Sequence, residues 1–113
     1  MPNQNLTAES APFAVVKAVR RLGHNITTAR TRRRLRQEDL ARKAGISRPT
    51  LSRIEAGELG TQVSAYVAVL WALGLHEGVA ALAAPEEDIE GQTLEAARRG
   101  ERVRPAGELN DDF

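Results

Sequence analysis

Residues 37–56, QEDLARKAGISRPTLSRIEA, describe two short helices separated by a tight turn. Gly45 ends the first helix, because glycine adopts the left-handed conformation at a helix C-terminus at little cost. Ser47 is a good N-cap for the second helix, and Pro49 falls in its first turn, where the missing N–H is harmless. The pattern therefore predicts helices over about 37–44 and 47–56, with Gly57 stopping the second.

These twenty residues resemble the helix-turn-helix of the Cro and phage-repressor proteins, the XRE family. The small residue of the family pattern is Ala41, where the two helices cross, and the glycine of the turn is Gly45. Apolar residues close a small core between the helices, namely Leu40, Ala44, Ile46, Leu51 and Ile54. The resemblance extends over residues 22–83 and implies an all-α, five-helix, lambda-repressor-like DNA-binding domain.

Helical periodicity continues on both sides of this pair. Upstream, apolar residues recur every three or four positions, which predicts a long helix from about Pro12 to Arg34 that extends the domain at its N-terminus. Gly23 is expected to kink or break that helix, because glycine is a poor helix former. Downstream, a fourth helix over 63–73 is followed by a short fifth helix over about 76–83. The predicted buried stripe of the fourth helix is Val63, Tyr66, Val67 and Leu70.

Composition divides the chain into three regions. Residues 1–11 are predicted to be disordered, and residues 12–84 form the helix-turn-helix domain. Residues 85–113 are an acidic, largely flexible tail and a possible partner-binding segment, with a short helix over 93–99.

Charge is distributed unevenly along the sequence. Residues 17–53 hold twelve Lys or Arg and two acids, whereas residues 54–113 hold four Lys or Arg and twelve acids. The basic half suits a polyanion, and such an asymmetry is typical of nucleic-acid binders.

Several function classes find no support in the sequence. Cysteine is absent, which excludes disulfides and thiolate zinc sites, and the two histidines show no ligand spacing. No glycine-rich phosphate loop or nucleophile motif occurs, so we expect no enzymatic activity, no cofactor and no metal. The sequence shows neither a signal peptide nor an apolar run of about 18–20 residues. We therefore expect a cytoplasmic protein that makes no membrane contact and lies on the nucleoid when bound to DNA.

The second helix of the pair presents the predicted DNA-reading side chains. A major groove about 12 Å wide admits one helix that projects polar and basic side chains from its first turns. The residues expected to touch base edges are Arg48, Pro49, Ser52 and Arg53. Arg48 suits a bidentate contact to guanine, and Pro49 suits a thymine methyl group.

A second set of residues is expected to contact DNA phosphates. The resemblance implies this role for Gln37, while the positive N-terminus of the second helix favours it for Ser47 and Thr50. The basic run before Gln37 adds Arg32, Arg33 and Arg36, although a solvated helix end explains that run equally well. Arg36 stands where the family usually has a serine or threonine cap, which predicts a weakened helix start.

Longer stretches, among them LGHNITTARTRRRLRQEDLA (22–41) and PEEDIEGQTLEAARR (85–99), resemble HipB-like antitoxins encoded beside HipA-type kinase toxins. The resemblance covers residues 22–104. It implies a homodimer that binds a double-stranded operator, represses its own operon and holds a toxin kinase inactive. The expected dimer contacts are Trp71, Leu75, Val79 and Leu82. Two alternatives stay open: a stand-alone XRE-family regulator, and a protein-interaction module with weak DNA binding.

Overall fold

The structure is a computed structural model that describes residues 6–103. Within this range every regular element is a helix, which confirms the predicted all-α fold. The helices are α1 (Phe13–Arg32), α2 (Gln37–Ala44), α3 (Arg48–Glu55), α4 (Val63–Leu73), α5 (Glu77–Ala80) and α6 (Ile89–Val103), with a 3₁₀ turn at Pro85–Glu87. Residues up to Val79 form one compact unit, and residues from Ala80 onward form a second.

The core of the first unit is built by α1 to α4. Its fully buried large side chains are Ile26, Leu40, Leu51, Ile54 and Val69. Three of these five belong to α2 and α3, so the helix-turn-helix pair is held by apolar contacts on its inner side. Burying such a side chain stabilises a fold by about 1.5–3 kcal/mol before entropy is counted.

The turn between α2 and α3 has the predicted conformation. Gly45 is left-handed, with φ +79°, and ends α2. Ser47 caps α3, because its Oγ accepts a hydrogen bond from the backbone N–H of Thr50 at 3.2 Å. Pro49 lies in the first turn of α3, where it removes no hydrogen bond that the helix needs.

The start of α2 is stabilised in a way that the sequence analysis did not predict. Asp39 Oδ2 accepts the backbone N–H of Arg36 at 3.1 Å, and it also accepts Arg36 Nε at 3.1 Å. One free N–H of the helix start is thereby satisfied, and the cation there is paired with a carboxylate. Arg36 itself makes no side-chain cap, as expected, but Asp39 supplies half of a capping box and offsets part of the predicted weakening.

Gly23 does not kink α1, contrary to the sequence-based expectation. The helix is continuous over Phe13–Arg32, and Gly23 is buried at its crossing with α3. A Cβ atom there would lie 2.5 Å from the carbonyl oxygen of Ile54 and 2.7 Å from that of Glu55. Glycine is therefore required at position 23, because only a residue without a Cβ atom lets the backbones of α1 and α3 approach so closely. The helix also ends two residues before the predicted Arg34, which adopts a left-handed φ of +56°.

The buried face of α4 differs from the predicted stripe. Tyr66, Val69, Ala72 and Leu73 are buried, whereas Val63 is 74% exposed. The helix, VSAYVAVLWAL, has no charged residue, so its apolar pattern carries little information about which side faces the core.

The second unit contains α6, which is longer than the short helix predicted over 93–99. Asp88 Oδ1 accepts the backbone N–H of Gly91 at 3.0 Å and so caps the helix start. Along α6, Ile89 and Leu94 are 66% and 58% exposed. Of the start of the chain predicted to be disordered, residues 1–11, the structure describes only residues 6–11, and the end of the tail, residues 104–113, lies outside the described residues. The three-region division therefore stays a prediction.

Candidate nucleic-acid interface

The third helix, α3, has a buried side and an exposed side. Leu51 and Ile54 are 0% exposed and hold the helix against the core. The four residues predicted to touch base edges are all exposed, namely Arg48, Pro49, Ser52 and Arg53. The structure thus gathers them on one accessible surface, which we call the reading face.

The two arginines of the reading face differ in their surroundings. The side chain of Arg48 makes no hydrogen bond or ion pair with any residue between 6 and 103, so its guanidinium donors are unoccupied there. Arg53 donates through Nη2 to Thr50 Oγ1 at 3.3 Å, and its Nε lies 3.5 Å from Glu58 Oε1. Both partners of Arg53 are at the surface, where such contacts are weak and exchange readily for a stronger ligand.

The N-terminus of α3 supplies backbone donors beside the reading face. Ser47 Oγ already accepts the N–H of Thr50 and lies 2.9 Å from Thr50 Oγ1. The N–H of Ser47 itself has no acceptor among the described residues. An unpaired N–H at the positive end of a helix is a suitable donor for a phosphate oxygen. A depression of about 450 Å³ borders these residues and includes Thr61 and Gln62, two polar side chains that the sequence analysis did not consider.

Gln37, the predicted phosphate contact at the start of α2, belongs to a polar network that ties α1, α2 and α3 together. Its Nε2 donates to Glu55 Oε1 at 2.9 Å. Arg30 reaches the same carboxylate twice, through Nε at 2.6 Å and Nη2 at 3.0 Å. Arg30 also donates through Nη1 to the carbonyl oxygen of Leu35 at 2.9 Å. The network fixes the start of α2 relative to the end of α3.

The carboxylate at the centre of this network is deeply placed, since only 7% of the Glu55 side chain is exposed. Burial alone raises the pKa of Glu55, but the hydrogen bonds from Arg30 and Gln37 outweigh burial and hold that pKa below its ordinary value. The sequence does contain a signal that Glu55 needs a cationic partner. An acid at the C-terminal end of a helix opposes the helix dipole, so it calls for a cationic partner.

The basic run between α1 and α2 is only partly available to DNA. The guanidinium of Arg36 pairs with Asp39 at 3.1 Å and with Glu38 at 3.2 Å, and the hydrogen bond to Asp39 raises the pKa of Arg36. Arg33 donates through Nη1 to the carbonyl oxygen of Ala29 at 2.9 Å. Arg32 makes no ion pair with the rest of the described chain. The phosphate roles of these three residues stay predictions.

The residues predicted to form a dimer contact are mostly accessible. Trp71 and Leu75 are 57% and 47% exposed, and Val79 is half-buried. Leu82, which is 71% exposed, belongs to the second unit. Contiguous apolar patches on a surface mark protein contacts, whereas single exposed apolar side chains are ordinary.

Comparison with known families agrees with this geometry. Residues 21–83 match the sequence model of a family described as "Helix-turn-helix domain". The match covers more than half of the chain, so the chain belongs to this family of DNA-binding domains, and it is an XRE-like helix-turn-helix protein. No curated protein matches the chain.

Two further observations concern the described part of the chain alone. None of its helices is long and apolar enough to cross a membrane. Between residues 6 and 103, no three His, Cys, Asp or Glu side chains are grouped in a way that suits a metal ion.

Proposed function

We propose that this protein is a sequence-specific transcriptional regulator that binds an operator as a homodimer and reads it through the reading face of α3. The observation that carries the proposal is Arg48, which is exposed and without an ion pair in the described chain, on a helix whose other side is fully buried. A rigid helix with an unoccupied guanidinium in its first turn has the chemistry needed for bidentate recognition of guanine.

Base contacts are assigned along the reading face. Arg48 pairs with guanine, and Pro49 contacts a thymine methyl group because it has no side-chain donor. Ser52 lies one turn after Arg48 and contacts a neighbouring base edge. Arg53 exchanges Glu58 for a base or a phosphate.

Phosphate contacts flank the reading face. Gln37 uses one of its two amide N–H groups for Glu55, and the second is directed to a phosphate oxygen. The N–H of Ser47 and the hydroxyl of Thr50 serve the same purpose at the N-terminus of α3. These contacts position the protein on the duplex without carrying sequence information.

The homodimer is supported by the exposed Trp71 and Leu75. A two-fold dimer of helix-turn-helix domains binds a near-palindrome with half-sites about 34 Å apart or a multiple of that. Pairing these side chains removes apolar surface from water, which is favourable at about 25 cal/mol per Å².

Fluorescence anisotropy tests the DNA-binding proposal. The protein is titrated onto its own upstream promoter and onto a random duplex of equal length, at several salt concentrations. We expect the promoter to be preferred by about a thousandfold or more. Equal affinity for both duplexes, with steep salt dependence, would show that the basic half supplies only charge. The interaction-module alternative would then be the better description.

The variant Arg48→Ala makes this test specific. We expect it to weaken promoter binding by about 1–3 kcal/mol, or roughly 5- to 150-fold, and to relax specificity at one base pair. Lys17→Ala is the matched control, since it also removes one exposed cation but lies on α1. An equal loss on promoter and random DNA would assign Arg48 to a phosphate.

A second candidate role is that of an antitoxin that neutralises a HipA-type kinase. It is favoured by the exposed Leu94 on α6 together with the resemblance of residues 22–104 to HipB-like proteins. If it is correct, a kinase gene lies next to this one, and coexpression relieves the growth arrest that the kinase causes. Leu94→Asp should abolish that relief without changing operator affinity. Absence of a neighbouring kinase gene would favour the stand-alone regulator.

A further inference from the structure

An open groove of about 720 Å³ runs along α1, on the side of that helix turned away from α3. The residues of α1 that approach α3 are Gly23 and Arg30, which share one face. With 3.6 residues per turn, Arg21, Asn25 and Arg32 lie on the other side of the helix. The groove walls include these three residues together with His24, Arg33 and Leu75. The groove is therefore not part of the reading face of α3.

The groove carries positive charge that the first unit does not neutralise. Its lining contains three arginines and no carboxylate. Arg21 and Arg32 form no ion pair with any described residue, and Arg33 uses one donor for the carbonyl oxygen of Ala29. A concave surface lined by one sign of charge concentrates ligands of the opposite sign. The groove is thus suited to an anionic occupant.

The groove is also partly apolar, which restricts the kind of molecule that can use its whole surface. Leu75 is 47% exposed at its edge, and Ala29 contributes to the lining. A bare phosphate uses only the arginines, whereas an acidic peptide that carries an aliphatic side chain uses both parts of the surface.

This chain itself contains a segment with that chemistry. Residues 86–90 read Glu-Glu-Asp-Ile-Glu, so four acids surround one aliphatic residue. All five side chains are exposed, with Ile89 at 66%. None of the four acids forms an ion pair within residues 6–103. The segment complements the groove in charge, and Ile89 supplies an apolar side chain for its apolar part.

We propose that the α1 groove of one copy binds residues 86–90 of a second copy. The carboxylates pair with Arg21, Arg32 and Arg33, and Ile89 covers Leu75. This inference rests on the proposed homodimer and adds a contact to it beside the one proposed for Trp71. A closed dimer forms when each copy's segment occupies the other copy's groove, so that the two contacts are related by a two-fold axis. Leu75 then belongs to the dimer contact, in agreement with its predicted role.

Cysteine cross-linking tests this contact directly, because the full chain has no cysteine of its own. Two single variants, Asn25→Cys in the groove and Glu87→Cys in the acidic segment, are mixed and oxidised under mild conditions. We expect a disulfide-linked heterodimer, at about tenfold the yield obtained when Lys43→Cys on α2 replaces the groove variant. The excess should disappear near 1 M salt, where the Debye length falls to about 3 Å.

Charge reversal is the second part of the cross-linking experiment. Arg21→Glu with Arg32→Glu, added to the groove variant, should reduce the yield to that of the control. Glu86→Lys with Glu90→Lys, added to the acidic-segment variant, should restore it. These four positions are exposed, and circular dichroism checks that each variant is folded.

Three results would overturn the inference. They are a yield equal to the control, a loss that the opposite charge reversal does not restore, and a disulfide that forms only within one chain of a doubly substituted protein. None of these results concerns the reading face. Promoter binding that depends on Arg48 is therefore expected even if the groove contact is refuted. Conversely, cross-linking without specific promoter binding would remove the proposed DNA function and leave the groove contact in place.

Discussion

Gly23 lies where α1 crosses the end of α3, and replacing it with alanine tests that crossing. A Cβ atom would sit 2.5 Å from the Ile54 carbonyl oxygen, 2.7 Å from the Glu55 oxygen and 2.9 Å from the Gly57 nitrogen. Ordinary van der Waals contact begins near 3.4 Å, so the two backbones must separate by about 0.9 Å. All three obstacles are backbone atoms, which cannot rotate away as a side chain would.

The expected cost follows from two opposing effects. Alanine gains about 1 kcal/mol in helix propensity over glycine. Overpacking typically costs about 1–3 kcal/mol, and separating α1 from α3 also strains the Arg30–Glu55 contact that lies two turns further along α1. We expect a net loss of about 1–2 kcal/mol, which corresponds to a fall in Tm of roughly 5–15 °C for a domain of this size.

Thermal denaturation followed by circular dichroism measures this loss. Gly78→Ala is the matched control, because a Cβ at Gly78 meets nothing within 4 Å. That control should leave Tm unchanged or raise it slightly. If Gly23→Ala were as stable as the wild type, the backbone crossing described for α1 and α3 would be refuted.

Three further predictions concern stability. The low pKa of Glu55 means that its stabilising contribution is complete above the ordinary glutamate value of 4.5 and is lost as the pH falls through the lower folded value. Tm of the wild type should therefore fall more steeply below pH 4.5 than Tm of Glu55→Gln, and parallel curves would contradict the network. Leu51→Ala should cost about 2–5 kcal/mol in urea denaturation, since Leu51 is 0% exposed, and an unchanged midpoint would exclude its place in the core. Arg34→Gly should raise the free energy of unfolding by about 0.5–1 kcal/mol, because φ is +56° there, while Arg33→Gly at φ −93° should lower it.

The sequence was sufficient to predict the helix-turn-helix pair. Gly45 and Ser47 mark its turn through local backbone chemistry, which depends on few neighbours. The inward positions Leu51 and Ile54 were also identified, because polar residues alternate with them at helical spacing. Local signals of this kind are readable without knowing what the helices pack against.

Features that depend on contacts between distant segments were not predictable in the same way. Gly23 was expected to bend α1, because its sequence gives no sign that another backbone passes beside it. Val63 was assigned to the core, because every face of α4 is apolar and the helix can be rotated without changing its pattern. The link between Arg30 and Glu55 joins residues 25 positions apart, so only the folded chain brings them together.

Because α3 has a buried side and an exposed side, the residues that stabilise the fold are different from those proposed to determine what the protein binds. Leu51 and Ile54 hold the helix in place, whereas Arg48 and Ser52 take no part in packing. Under the proposed function, substitutions at Arg48 and Ser52 therefore change what the helix recognises without a large penalty in folding. After gene duplication, two copies of such a chain can acquire different target sequences in few steps, because neither copy passes through an unfolded intermediate variant on the way.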